Sequence, residues 1–201
     1  MYNTVSKQIT DSFIKNNVID EDDRDVYDYG VKLLISTLVS IAVIITVSVI
    51  LKKFLPTVLF LLGFIIMRLC SGGYHANHFF SCFIVTMLNY AAFLACIMLI
   101  PQDKLIYAQW TGIILSLPII LIFAPIEHEN NRFIGNDRAR YRKRCVIFIS
   151  AASVVAVALL FAPKLILYSF SFMAGVYAVS LSVLAAVIQA HFTKSHSDKS
   201  N

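Results

Sequence analysis

The chain has 201 residues, of which 58% are hydrophobic and 14% charged, with a net charge of +5. A soluble domain averages about 45–50% apolar and about 25% charged residues, so a disordered chain, a collagen-like fibre and a soluble globule are all excluded. The cysteines at 70, 82, 96 and 145 sit mostly in or beside apolar runs, which is no extracellular disulfide framework. In so apolar a chain, basic residues report orientation rather than a nucleic-acid partner.

The first 30 residues are polar and mixed in charge, unlike a signal peptide. Val5, Ile9 and Phe13 recur at four-residue spacing, which predicts a short amphipathic helix suited to the membrane interface. Asp20, Glu21, Asp22, Asp23, Asp25 and Asp28 follow. They read either as a solvated helix start, since carboxylates favour a helix N-terminus, or as a docking surface.

Beyond this arm, apolar runs dominate. Residues 33–51 carry no charge over 19 positions and 79–102 none over 24, and about 20 apolar residues cross a bilayer as a helix. Six segments are predicted: 31–51, 54–67, 79–100, 105–123, 145–162 and 165–190. The second is short and contains Pro56 and Gly63, so it fits either a spanning helix or a re-entrant one. The fold class is an all-α integral membrane protein of about six transmembrane or re-entrant helices plus the N-terminal helix. Residues 1–30 form a cytoplasmic arm, 31–190 the membrane domain and 191–201 a polar tail. With six spans, thirteen of the 17 basic residues share a face with both termini, against four on the other. The positive-inside rule makes the richer face cytoplasmic, together with the segments at 68–78 and 124–144.

The informative stretch is Arg68-Leu-Cys-Ser-Gly-Gly-Tyr-His-Ala-Asn-His-Phe-Phe-Ser-Cys82. It places a charge, a glycine pair, two histidines and two thiols at the membrane boundary, where ionisable groups mark function by default. Gly72 and Gly73 let the backbone turn sharply. His75 and Cys82 are seven apart, about 10.5 Å along a continuous helix, so proton exchange between them needs the chain to bend back. A third span starting near Phe79 puts Cys82 in or just beyond its first turn, where a helix N-terminus lowers a thiol pKa and offers N–H groups to an oxyanion. On a helix His78 would lie one turn below the thiol and is the alternative base. Cys70, His75, His78 and Cys82 also supply zinc-type ligands, but C-x4-H-x2-H-x3-C matches no zinc pattern, and neither metal nor other cofactor is predicted.

Arg68, the glycine pair, His75 and Cys82 resemble, in type and spacing, the signature of the accessory gene regulator protein B (AgrB) family. These are membrane cysteine endopeptidases that process a quorum-sensing propeptide in Gram-positive bacteria. The similarity extends to chain length, the N-terminal arm, the six segments and a polar loop opened by Ala124-Pro125. The resemblance implies that Cys82 is the nucleophile and His75 the base, with Arg68, Gly72 and Gly73 supporting the site. It also implies an AgrD-like precursor cleaved on the cytoplasmic side, a thiolactone or lactone product, and a homodimer in the cell membrane. Glu127, Glu129 and Asp137 are candidates for a third, orienting group, Glu127 being nearest the fourth span. Arg138, Arg140 and Arg142 read either as topology determinants contacting anionic lipid or as a seat for an acidic peptide tail. The competing class is a small transporter or membrane assembly subunit, which Pro56, Gly63, Pro118 and Gly175 would suit.

Overall fold

The computed structural model describes residues 2–16, 18–71, 79–125 and 137–197. Among these there is no strand, and seven α-helices follow one another: α1 Tyr2–Lys15, α2 Arg24–Ile50, α3 Phe54–Ser71, α4 Phe79–Leu99, α5 Leu105–Phe123, α6 Asp137–Leu159 and α7 Ile166–Ser197. The six predicted segments correspond to α2 through α7. Four stretches are long and apolar enough to cross a bilayer, Glu21–Ile50, Phe54–Ser71, Gln102–Phe123 and Pro163–Ala185, and Phe83–Leu99 is a shorter apolar helix. The protein is an all-α, multi-pass membrane protein.

Local chemistry explains the helix ends. Lys52 has a φ of 55°, and the Lys52 and Lys53 N–H groups return to the Val49 and Ser48 carbonyls at 3.1 and 2.8 Å. This left-handed cap satisfies the last carbonyls of α2 and turns the chain back. Pro56 falls in the first turn of α3, where a missing N–H costs nothing. Ala124 closes α5 in extended geometry (φ −86°, ψ 146°), as the residue before a proline must.

Two segments differ from the sequence reading. The second runs unbroken past Met67. It is one helix of 18 residues through Gly63 to Ser71, because a charge ends an apolar pattern without ending hydrogen bonding. Arg68 stays helical with its guanidinium 5.6 Å from the centre of the Phe64 ring. The fifth begins at Asp137 and stops at Leu159, leaving residues 145–159 as its apolar part and Arg138 to Arg144 as charged opening turns.

The core sits around α7, which packs most extensively against α3 and α5. At the α3–α7 crossing, a Cβ on Gly63 would lie 2.1 Å from the Phe172 carbonyl oxygen, and one on Gly175 would lie 2.1 Å from that of Phe60. Only glycine permits backbones this close, the usual way helices gain dispersion contact in a membrane. Beside the crossing, Phe60 stacks on Phe93 of α4 at 4.7 Å between ring centres. Thr57 and Tyr90 join their hydroxyls at 3.1 Å. Farther along α7, the buried Gln109 of α5 donates to the Ala156 carbonyl and the Ser169 hydroxyl, each at 3.0 Å. Tyr177 donates to the Gln109 carbonyl at 3.1 Å. Pro118 lies within a single helix, while Pro56 falls at a helix start and Gly63 and Gly175 serve close packing.

Candidate functional site

α3 is described as far as Ser71 and α4 from Phe79. Cys82 is therefore the fourth residue of α4, in the first turn of the helix, where the free N–H groups of a helix start gather. His75, Gly72, Gly73 and His78 lie outside the described residues, and so do Glu127 and Glu129. The zinc-type grouping thus has two of its members outside them.

The end of α3 is described in detail. Ser71 is fully buried, and its hydroxyl donates to the Arg68 carbonyl at 3.4 Å. Cys70 is a free, half-buried thiol within electrostatic reach of Arg144 and of the buried Cys145. The last turn of α3, carrying Arg68 and Cys70, therefore sits beside the opening turns of α6. Arg138, Arg140 and Arg142 are exposed on those turns. The Arg142 guanidinium reaches back to the Leu121 carbonyl at 3.4 Å, tying α6 to the last turn of α5. Arg144 lies 5.8 Å from the centre of the Tyr141 ring, a contact the sequence reading passed over although the i, i+3 spacing signals it.

The bundle thus brings together, at one end, the turn that carries Arg68 and the turns that carry the arginine run. Residues 72–78, with the glycine pair and His75, join this end to α4 and Cys82 in the sequence. Electrostatically the end is basic, and the Arg68 guanidinium rests against the Phe64 ring.

The family described as AgrB, accessory gene regulator B, matches residues 6–190. The chain belongs to the AgrB family. That span includes every residue of the signature from Arg68 to Cys82, five of the seven helices in full and most of α1 and α7. Membership places this AgrB-family protein in the accessory gene regulator quorum-sensing system, whose AgrB members process the autoinducer peptide in the membrane and take an AgrD-like propeptide. No curated protein and no solved structure matches the chain.

Proposed function

We propose that this AgrB-family chain is a membrane cysteine endopeptidase that removes the C-terminal segment of an AgrD-like precursor. The observation that carries the proposal is the family match across the Arg68–Cys82 signature, with Cys82 in the opening turn of α4. His75 takes the Cys82 proton, and the thiolate attacks the scissile carbonyl to give a tetrahedral intermediate. The C–N bond then breaks, the His75 imidazolium protonates the leaving amine, and the retained peptide stays on Cys82 as a thioester. A cysteine or serine within that peptide, deprotonated by the same imidazole, attacks the thioester carbonyl. Cys82 leaves as thiolate and the ring closes as thiolactone or lactone. The membrane boundary helps by limiting water, whose attack on the thioester competes with cyclisation.

Arg68, Gly72 and Gly73 shape the site in this reading, Glu127 is the candidate for orienting His75, and Arg138, Arg140 and Arg142 seat an acidic precursor tail. The site and both termini face the cytoplasm, where 13 of 17 basic residues fall, and the protein acts as a homodimer. A reporter fused after Pro101 then reads external.

Cleavage of a precursor by membranes containing single variants tests the reading. Cys82→Ala and His75→Ala each abolish it while insertion persists, and the double variant is no worse than either, as residues acting as a unit behave. Cys70→Ser and His78→Ala retain activity. Charge reversal at Arg140 and Arg142 slows cleavage at low salt, and the deficit narrows as exposed charges are screened. Wild-type trimming by Cys82→Ala overturns the reading.

A further inference from the structure

Several polar side chains within the spans are satisfied by the chain itself. The hydroxyls of Ser40, Ser171, Ser180 and Ser182 donate to the carbonyl four residues earlier on their own helix. Gln109 and Tyr177 bond across helices. Asn89 differs. It is the middle residue of the 21 in α4, within a run from 79 to 102 that carries no charge, so its amide lies at a depth where water is absent. One amide N–H donates to the Val85 carbonyl at 2.7 Å. The second N–H and the amide oxygen have no partner among the described residues, and the residue is half-buried rather than enclosed.

Helical geometry places Asn89 on a seam. Val85, Asn89, Ala92, Cys96 and Leu99 follow at spacings of four, three, four and three, the repeat by which two parallel helices pack in register. Val85, Asn89 and Cys96 are half-buried and Ala92 is exposed, while Leu99 is 80% exposed. Tyr90, Phe93 and Ile97 form the adjoining buried stripe that holds α4 to the bundle. Leu88, 64% exposed, borders the seam on its open side. The seam therefore runs along the rim where α4 leaves its own bundle.

We propose that the Val85–Leu99 seam of α4 is the contact between two copies of this chain, with Asn89 paired to the partner's Asn89. A carboxamide is donor and acceptor at once. About a two-fold axis the two amides exchange two N–H···O bonds, and each supplies what the other lacks. Copies inserted in the same orientation present parallel helices, in which each seam residue meets its own counterpart. Ala92 keeps the seam shallow beside the amide, so the backbones approach closely. A lipid chain covers the same face but offers neither donor nor acceptor. Residues 82, 89 and 96 are seven apart, so the register carries the seam back to the opening turn of α4 and sets the two Cys82-bearing helix starts side by side. This inference rests on the homodimer reading, for which it names the interface, and is independent of the cleavage chemistry.

Cys96 provides the probe. A chain without its other thiols (Cys70→Ser, Cys82→Ala, Cys145→Ala) is oxidised in membranes with copper phenanthroline and run on a non-reducing gel. It forms a Cys96–Cys96 dimer. The same background with Cys96→Ala and Ile114→Cys, at a 65% exposed position on α5, stays monomeric. In the otherwise natural chain in dodecyl maltoside, Asn89→Leu weakens self-association roughly three- to tenfold by sedimentation, the range of a side-chain hydrogen bond between membrane helices. Thermal unfolding is unchanged, and Asn89→Gln, which keeps the amide, loses less. Dimers that neither link through Cys96 nor weaken with Asn89→Leu overturn the seam and leave the homodimer reading standing. A chain that is monomeric at every concentration overturns both. A Cys96 that reacts with a lipid-soluble maleimide but never links assigns the seam to lipid. Linkage to a thiol-bearing precursor peptide in preference to a second copy assigns it to substrate, and either result also overturns the proposal.

Discussion

Two helix junctions in this molecule are built on opposite physics. At the α3–α7 crossing Gly63 and Gly175 bring backbone against backbone, with the nearest atoms to a built Cβ being carbonyl oxygens 2.1 Å away. At the α1–α2 junction Gly30 has nothing near it, and the contact is made by Ser6 and Asp11 of α1 with Asp28 and Arg24 of α2. Within a bilayer, lipid tails are as apolar as leucine, so apolar side chains alone give no reason to associate and shape complementarity must supply it. Where the chain leaves the hydrocarbon, charges pair at modest desolvation cost and hold elements with a strength that salt and pH can change. The first junction is therefore rigid and indifferent to solution conditions, and the second adjustable.

Substituting alanine at both glycines gives the sharpest break. Gly63→Ala forces the α3 and α7 backbones apart and costs about 1–3 kcal/mol or more, the range for overpacking a close-fitted core. Thermal unfolding in detergent should fall by several degrees at every salt concentration. Gly30→Ala, on the exposed face of α2, should instead gain roughly 0.5–1 kcal/mol by removing glycine's flexibility from a helix. Equal effects at the two positions would erase the distinction.

The next effect is smaller and depends on pH. Asp28 precedes the apolar part of α2, which begins at Val31. Burial pushes its carboxyl up, but the hydrogen bonds from Lys32 and Ser6 and the charges of Lys32 and Lys7 outweigh it and hold it below the ordinary carboxylate range. A lowered value means the folded state favours the ionised form. The stabilisation is complete above the ordinary carboxylate value of about 3.9 and is lost as pH falls through the lowered value. Hydrogen exchange of the α1 amides should be flat in protection above about pH 5 and weaken toward pH 3. Asp28→Asn should abolish that pH dependence and cost about 1–2 kcal/mol of α1 docking, in the range for hydrogen bonds to a charged group. Protection that stays constant to pH 3 in the wild type would remove the electrostatic account of this junction.

The smallest effect lies in the turn between α2 and α3. Lys52 occupies a left-handed backbone conformation (φ 55°) that costs a side-chain-bearing residue roughly 1–2 kcal/mol. Glycine relieves this but adds freedom to the unfolded chain, so Lys52→Gly should raise stability by a few tenths to about 1 kcal/mol. A loss would mean that the Lys52 side chain itself contributes to the turn.

Hydrophobicity and charge in the sequence were enough to determine the helical membrane class and the six segments, because the bilayer demands long apolar runs. The signature at 68–82 was legible for the same reason, a cluster of ionisable groups where such groups are expensive. Tertiary structure alone decided which apolar residues meet protein rather than lipid. In a membrane both environments select the same side chains, so periodicity carries little information about facing. Hence Gly63 and Gly175, which by sequence suited a transporter, proved to be points of close helix contact. On α1, the Val5–Ile9–Phe13 repeat marked the apolar edge, but Ser6 and Thr10 turned inward, because Asp28 and Arg24 on α2 hold the polar side.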